Sequence, residues 1–279
     1  MPRTARASVG GICYHVINRG NARAEVFRHP GDYQAFVALL RESTERVKVR
    51  VLAYCLMPNH FHVAVWPRAD GDLSRWMQWL LTAHVRRHHR HYGSSGHVWQ
   101  GRFKAFPIEQ DAHLLTVLRY MERNPLRAGL VARAEDWLWS SLREWGRAGT
   151  FLDAGPVPRS ADWVAWVNEA MTEGDVERIR HSVNRGTPFG IEAWAVRTAR
   201  HLGLEASLRP RGRPSGQKSR MSPFSPFFPP FFHLPGNSLK VAGCPTLKEY
   251  TQGGYAHGET AWCFHHPQGD QRIALRFGW

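Results

Sequence analysis

Cysteine is scarce in this chain: Cys13, Cys55, Cys244 and Cys263 are its four, and no two stand at C-x-x-C spacing. That excludes a zinc ribbon and argues against a disulfide framework. Long apolar runs are also missing. No stretch approaches about 18 apolar residues, so the sequence holds no candidate transmembrane helix. The opening Met1-Pro2-Arg3-Thr4-Ala5-Arg6 lacks the apolar core of a secretory signal. Together these absences predict a cytoplasmic protein. Lysine is rare, supplying five of the 37 basic residues, and acidic residues number only 23, which leaves a formal net charge of +14.

What is present is arginine, and it is concentrated. Residues 1–150 hold 22 basic against 12 acidic side chains. Arginine meets phosphate through a planar fork of donors, so an arginine-dominated basic half points to a polyanionic partner such as nucleic acid. Codon bias in a GC-rich genome is the bland alternative. With 279 residues, 43% of them hydrophobic, the chain can bury one full core and leave room for a smaller unit.

Residues 12–18 are β-prone and end in the turn signal Arg19-Gly20-Asn21. A helix follows, with Asp32 as its cap and Tyr33, Phe36, Val37, Leu40 and Val47 near helical spacing. Strands are predicted over 50–57 and 60–66, close enough across Pro58-Asn59 to form a hairpin. A basic amphipathic helix fits 72–91, and a fourth strand fits 102–108. Asp111 then caps a helix that carries Tyr120 and stops near Asn124 at Pro125. This order predicts an α+β, ferredoxin-like sandwich, with an antiparallel sheet, helices on one face and the other face free for a ligand. Further helical stretches near 160–182 and 190–202 form a C-terminal extension. Past about 218 the chain turns into a low-complexity Pro/Phe run, so 218–279 reads as a disordered or loosely attached tail.

The chemistry concentrates in two places. In the strand Leu56-Met57-Pro58-Asn59-His60-Phe61-His62-Val63-Ala64-Val65, alternation puts His60 and His62 on one face, where two imidazoles could chelate a divalent metal. Two incidental exposed histidines would look the same. In the later helix, Tyr120 and Asn124 are four apart and share a face. The amide oxygen of Asn124 would be a suitable third ligand for Mg²⁺ or Mn²⁺. A helix-end Asn and a packed Tyr are the plain alternative.

Several runs then occur in a telling order: Met57-Pro58-Asn59-His60-Phe61-His62, Gly101-Arg102-Phe103-Lys104, Arg119-Tyr120-Met121-Glu122-Arg123-Asn124-Pro125-Leu126-Arg127-Ala128-Gly129-Leu130, and Trp139-Ser140-Ser141. With Ile12-Cys13-Tyr14-His15-Val16 and Arg19-Gly20-Asn21 they resemble the REP-associated tyrosine transposases, HUH single-strand endonucleases with one tyrosine. The resemblance is close over roughly 9–147, continues toward Arg213 and does not reach the tail. It implies a catalytic domain within 1–150; beyond it the residues themselves read as a helical extension over 151–217, with an AT-hook-like Arg211-Gly212-Arg213-Pro214 near its end, and the tail over 218–279. It implies His60 and His62 as the metal pair, Asn124 as third ligand and Tyr120 as nucleophile.

That chemistry would cut and rejoin hairpin-associated single-stranded DNA through a 5′-phosphotyrosine link. A domesticated, non-catalytic hairpin-binding protein is the alternative. Phenols, of pKa about 10, are roughly one part in a thousand ionised at neutral pH, so the nucleophile must lose its proton during attack. Metal-binding imidazoles must be neutral, which predicts activity falling below about pH 6.5. Arg86, Arg87 and Arg90 on the basic helix, Arg102 and Lys104 on the fourth strand, and Arg211 and Arg213 in Arg211-Gly212-Arg213-Pro214 are candidate DNA contacts. The expected partners are single-stranded or hairpin DNA, with nucleoid association when bound and no membrane. A homodimer, with Tyr120 serving its own or the partner's site, stays open.

Overall fold

The computed structural model describes residues 8–209 and, beyond them, two short strands. Four strands, β1 (Cys13–Arg19), β2 (Val49–Met57), β3 (His60–Pro67) and β4 (Lys104–Ile108), form one sheet in the order β2-β3-β1-β4. Each neighbouring pair is antiparallel. Met57 pairs with His60, so Pro58-Asn59 alone makes the hairpin turn. The turn carbonyls do not go to waste: Gly20 N–H donates to the Asn59 carbonyl, and Val26 and Phe27 both donate to that of Pro58. β2 carries one irregularity between Val51 and Ala53, which inserts Leu52 as an extra residue.

Helices α1 (Pro30–Arg46) and α2 (Asp72–Tyr92) cover one face. There Tyr33, Phe36 and Leu40 of α1 and Leu73, Trp76, Met77 and Leu80 of α2 pack with Tyr14, Val16, Phe61, Val63 and Val65 of the sheet. Each such side chain contributes about 1.5–3 kcal/mol by leaving water. α1 begins at Pro30 rather than after Asp32. Asp32, at the third helical position, reaches back to accept from the N–H groups of Arg28 (3.0 Å) and His29 (3.1 Å). α2 ends at Gly93, whose φ of 57° is the left-handed conformation a helix stop favours.

The other sheet face is not free. It is covered by α3 (Ala112–Glu122), α5 (Trp163–Asn168) and α6 (Glu173–Arg185), whose apolar residues join Cys13, Ile17, Ala64, Phe106 and Ile108 in a second core. The α+β ferredoxin-like class therefore stands, while the helices lie on both faces. The reason is compositional: this face carries Cys13, Ile17, Ala64, Phe106 and Ile108 as well as its histidines, and apolar positions in such numbers demand cover. The helix predicted near 160–182 is two helices, broken between Asn168 and Glu173, and α7 (Glu192–His201) and α8 (Glu205–Leu208) follow. No helix among the described residues is long and apolar enough to cross a membrane.

The chain divides into two units, Met1–Pro210 and Arg211–Trp279. Of the second, only β5 (Trp262–Phe264) and β6 (Ile273–Leu275) are described, and they pair antiparallel. Arg211 and Arg213, and otherwise the tail, lie outside the described residues.

One histidine of the first core makes stability depend on pH. His84 is 3% exposed, ringed by Phe27, Phe36 and Trp99, and burial pulls its pKa from 6.5 down to about 3. The unfolded chain takes up a proton near pH 6.5 while the folded chain does not. This contribution is complete above that pH and is lost as pH falls toward 3, at about 1.4 kcal/mol per pH unit. Urea unfolding of His84→Leu at pH 7.5, 6 and 5 is expected to show a shallower decline than wild type. Parallel declines would contradict the assignment.

Candidate active site

Alternation along β3 puts His60, His62 and Ala64 toward α3, and Phe61, Val63 and Val65 toward α1 and α2. His62 lies opposite Cys55 on β2 and Ile17 on β1, and His60 lies opposite Met57 and Arg19. Both histidines are buried, and their ring centroids are 5.0 Å apart. Burial, helped by Arg19 and Arg127, pulls the pKa of His60 to about 3. Burial first, then the neighbouring His60, places that of His62 well below its ordinary value. The imidazoles therefore stay neutral well below pH 6.5, and proton competition for a metal is expected at lower pH than the exposed residues would give.

The helix over these histidines, α3, ends at Glu122 as expected, but the chain does not leave the helical path at Pro125. Asn124–Arg127 form a further helical turn, α4, and backbone bonds from Arg123 to Arg119 and from Arg127 to Arg123 carry the path across the proline. Arg127 thereby falls on the same side as Tyr120 and Asn124. Its Nη2 donates to Asn124 Oδ1 at 2.9 Å and to Tyr120 Oη at 3.3 Å, and its guanidinium lies 4.5 Å from the Tyr120 ring centroid. Asn124 Nδ2 is 2.7 Å from His62 Nε2. The Tyr120 ring stands edge-on to His62 with centroids 6.2 Å apart, and Tyr120 is 1% exposed. One chain thus brings His60, His62, Asn124 and Tyr120 into a single cluster.

As a metal site the cluster offers two neutral imidazole nitrogens and one amide oxygen, a donor set that fits a divalent cation. The amide is turned so that its oxygen meets Arg127 and its nitrogen meets His62. Rotation about its last torsion would hand the oxygen to a metal beside His62. A different group of donors sits at the start of α3, where ligand atoms of Glu109, Asp111 and His113 lie within 4.8 Å of one another and could hold an ion. Those carboxylates already have partners: Asp111 accepts from His113 N–H at 2.8 Å and Glu109 from Ile191 N–H at 2.8 Å. The group is also about 13 Å along the helix from Tyr120, at 1.5 Å rise per residue.

The predicted DNA contacts fall in two places. Arg86, Arg87 and Arg90 are exposed on α2, and Arg86 shares with Arg102 the rim of a groove of about 830 Å³ floored by Met77, Leu81, Val85, Trp99 and Phe103. Lys104 lies instead on the histidine side of the sheet: it pairs with Ile17, which pairs with His62. Trp137 and Trp139 pack rather than stand free, the first donating to the Leu56 carbonyl at 2.9 Å and the second stacking on Tyr33.

Sequence reasoning missed Arg127, Arg19 and Glu122. Arg127 lies beyond a proline that marks a helix boundary, and Arg19 lies in the turn signal Arg19-Gly20-Asn21, so no strand or helix periodicity points either side chain at the site. Glu122 is fully buried, accepting from Ser141 Oγ (2.7 Å) and Trp163 Nε1 (2.8 Å) with Arg159 at 3.7 Å. Arg159 also donates to the Leu52 carbonyl at 2.7 Å, at the irregularity in β2. Arg119 donates to the carbonyls of Glu169 (3.0 Å) and Ala170 (3.2 Å), and Arg123 to that of Asn168 (2.9 Å). The C-terminal helices are thereby tied to the helix that bears Tyr120.

Residues 8–124 match the family model described as Transposase IS200 like. The REP-associated tyrosine transposase of Escherichia coli K12 is 25% identical over 140 residues, covering 48% of this chain and 77% of that protein. A Haemophilus influenzae protein assigned to the same group is 27% identical over 118 residues; the match spans 38% of this chain and 66% of that relative, just under two thirds of its length. A solved structure of a REP-associated tyrosine transposase bound to a REP hairpin aligns with 62% of this chain and all of its own, at 20% identity and a TM-score of 0.45.

Proposed function

We propose, from the match of residues 8–124 to the family model described as Transposase IS200 like, that this protein is a metal-dependent transesterase acting on hairpin-associated single-stranded DNA. The observation that carries the reading is the single hydrogen-bonded cluster of Tyr120, Arg127, Asn124 and His62. It sets a nucleophile beside a neutral N, N, O donor set within one chain.

His60, His62 and Asn124 would hold Mg²⁺ or Mn²⁺, and such a cation would neutralise and orient the phosphodiester. Tyr120 Oη attacks phosphorus and loses its proton; the bond to the 3′-oxygen breaks, and that oxygen leaves as a 3′-hydroxyl. The phosphodiester energy is kept in the tyrosyl phosphate, so another 3′-hydroxyl can reverse the step without ATP. Arg127 supplies positive charge at the phenolic oxygen as the proton departs. Arg19 and Lys104, on the histidine side of the sheet, suit the strand's phosphates, with Arg86, Arg87, Arg90 and Arg102 on the groove side.

The test is direct. Hairpin-bearing single-stranded oligonucleotides and Mn²⁺ or Mg²⁺ are expected to give a protein–DNA adduct that survives denaturation, and a chelator added beforehand to abolish it. The burial of Tyr120 favours a second reading, a hairpin-binding protein without catalysis. Hairpin retention in a mobility-shift assay with no adduct at any metal concentration would decide for that one.

A further inference from the structure

His62 uses both ring nitrogens within the protein. Its Nε2 is 2.7 Å from Asn124 Nδ2, and its Nδ1 is 2.8 Å from His15 Nε2. Which nitrogen carries the proton follows from the far end of the chain of contacts. Arg127 offers only donors, so the amide atom it meets at 2.9 Å is the oxygen of Asn124. The amide nitrogen therefore faces His62 and donates, and Nε2 of His62 must carry its lone pair there. The proton of the neutral ring is then on Nδ1, which donates to His15 Nε2.

His15 completes the sequence with its own proton on Nδ1, a buried atom without a hydrogen-bond partner. Both rings are 0% exposed. His15 sits on β1 opposite Ala64 and Phe106, with its ring 4.8 Å from that of Phe106. A leucine or phenylalanine would remove the unsatisfied Nδ1–H of His15 but strand the Nδ1–H of His62 in its place, each at about 1–3 kcal/mol. What a histidine offers here and they do not is an acceptor for His62.

We propose that His15 is a positioning residue for the metal site: by accepting from Nδ1 of His62 it holds that ring in the tautomer whose Nε2 lone pair faces Asn124 and Tyr120. Partners behind a ligating histidine commonly change metal affinity about 10–100-fold when removed. The role rests on the reading of His60, His62 and Asn124 as ligands.

The experiment is a Mn²⁺ titration of the full chain, followed by the electron paramagnetic resonance of free Mn²⁺, for wild type, His15→Leu, His15→Gln and His62→Ala, with metal-free urea unfolding alongside. His15→Leu is expected to weaken Mn²⁺ binding about 10–100-fold while its metal-free stability changes little, since one buried unpaired N–H replaces another. His15→Gln, whose Oε1 can accept from Nδ1, is expected to recover most of the affinity. Wild-type affinity in His15→Leu, or a folded His15→Gln as weak as His15→Leu, overturns the role. If His15→Leu does not fold, His15→Gln decides alone: near-wild-type affinity supports the role and a 10–100-fold loss overturns it. His62→Ala separates the two readings. Should it bind Mn²⁺ like wild type, the metal site and the role of His15 fall together; should it lose the metal while His15→Leu keeps it, only His15 falls.

Discussion

Tyr120→Phe is expected to abolish the covalent protein–DNA adduct and to lower strand cleavage by roughly 10⁴–10⁶-fold, the scale on which enzymes lose activity with their nucleophile. The substitution is well matched to the question because it removes so little else. The ring keeps its edge-on contact with His62 and its place under the Arg127 guanidinium. Only the hydroxyl is lost, with the 3.3 Å bond that Arg127 donates to it. A single hydrogen bond of that kind contributes about 0.5–1.5 kcal/mol to stability, so the folded state is expected to survive nearly unchanged. Hairpin binding should persist as well. Denaturing gels on 5′- and 3′-labelled oligonucleotides read the outcome, with the label expected on the protein only when it lies on the 5′-phosphate side of the cut. A persistent adduct in Tyr120→Phe would remove Tyr120 from the mechanism altogether.

Glu122→Ala is expected to cost about 3–5 kcal/mol of stability, because it leaves a buried guanidinium without its counter-charge. The Glu122 and Arg159 side chains are both fully buried, 3.7 Å apart. Arg159 lies between the rings of Trp145 (4.1 Å) and Trp163 (5.1 Å). Burial lowers its pKa and Glu122 raises it, so the carboxylate is what makes the buried charge tolerable. The same substitution also strips Ser141 Oγ and Trp163 Nε1 of their acceptor. Urea unfolding reads the loss. The double variant Glu122→Leu/Arg159→Met should lose less than its two singles together, since removing both charges leaves neither stranded. Additive losses would mean the pair is not coupled. Because Glu122 stands two residues after Tyr120, folded Glu122 variants are also expected to form less adduct.

How much of this was legible in advance depends on the range of the signal. Alternation in β3 and the four-residue step from Tyr120 to Asn124 are short-range geometry, fixed by strand and helix periodicity. They place His60 with His62, and Tyr120 with Asn124, whatever the tertiary fold. The four strands and their antiparallel order were likewise readable from short β-prone runs and one tight turn. The helix beyond Pro125 was not. Proline takes away one backbone donor, but the first turn of a helix does not use that donor, so the chain stayed helical and delivered Arg127 to the site.

The sequence by itself determined the arginine-rich character of the first half and the strand and helix on which the candidate residues ride. It also carried the motifs that point to a tyrosine nucleophile beside a metal pair. Tertiary structure alone decided what those residues face. His15 and His62 are 47 positions apart and meet diagonally across neighbouring strands. Glu122 meets Trp163 across 41 positions. It also decided that the histidine face is roofed by α3, α5 and α6 rather than open. Periodicity fixes which side of an element a residue takes, while burial and hydrogen-bond partners depend on what long-range packing brings to that side.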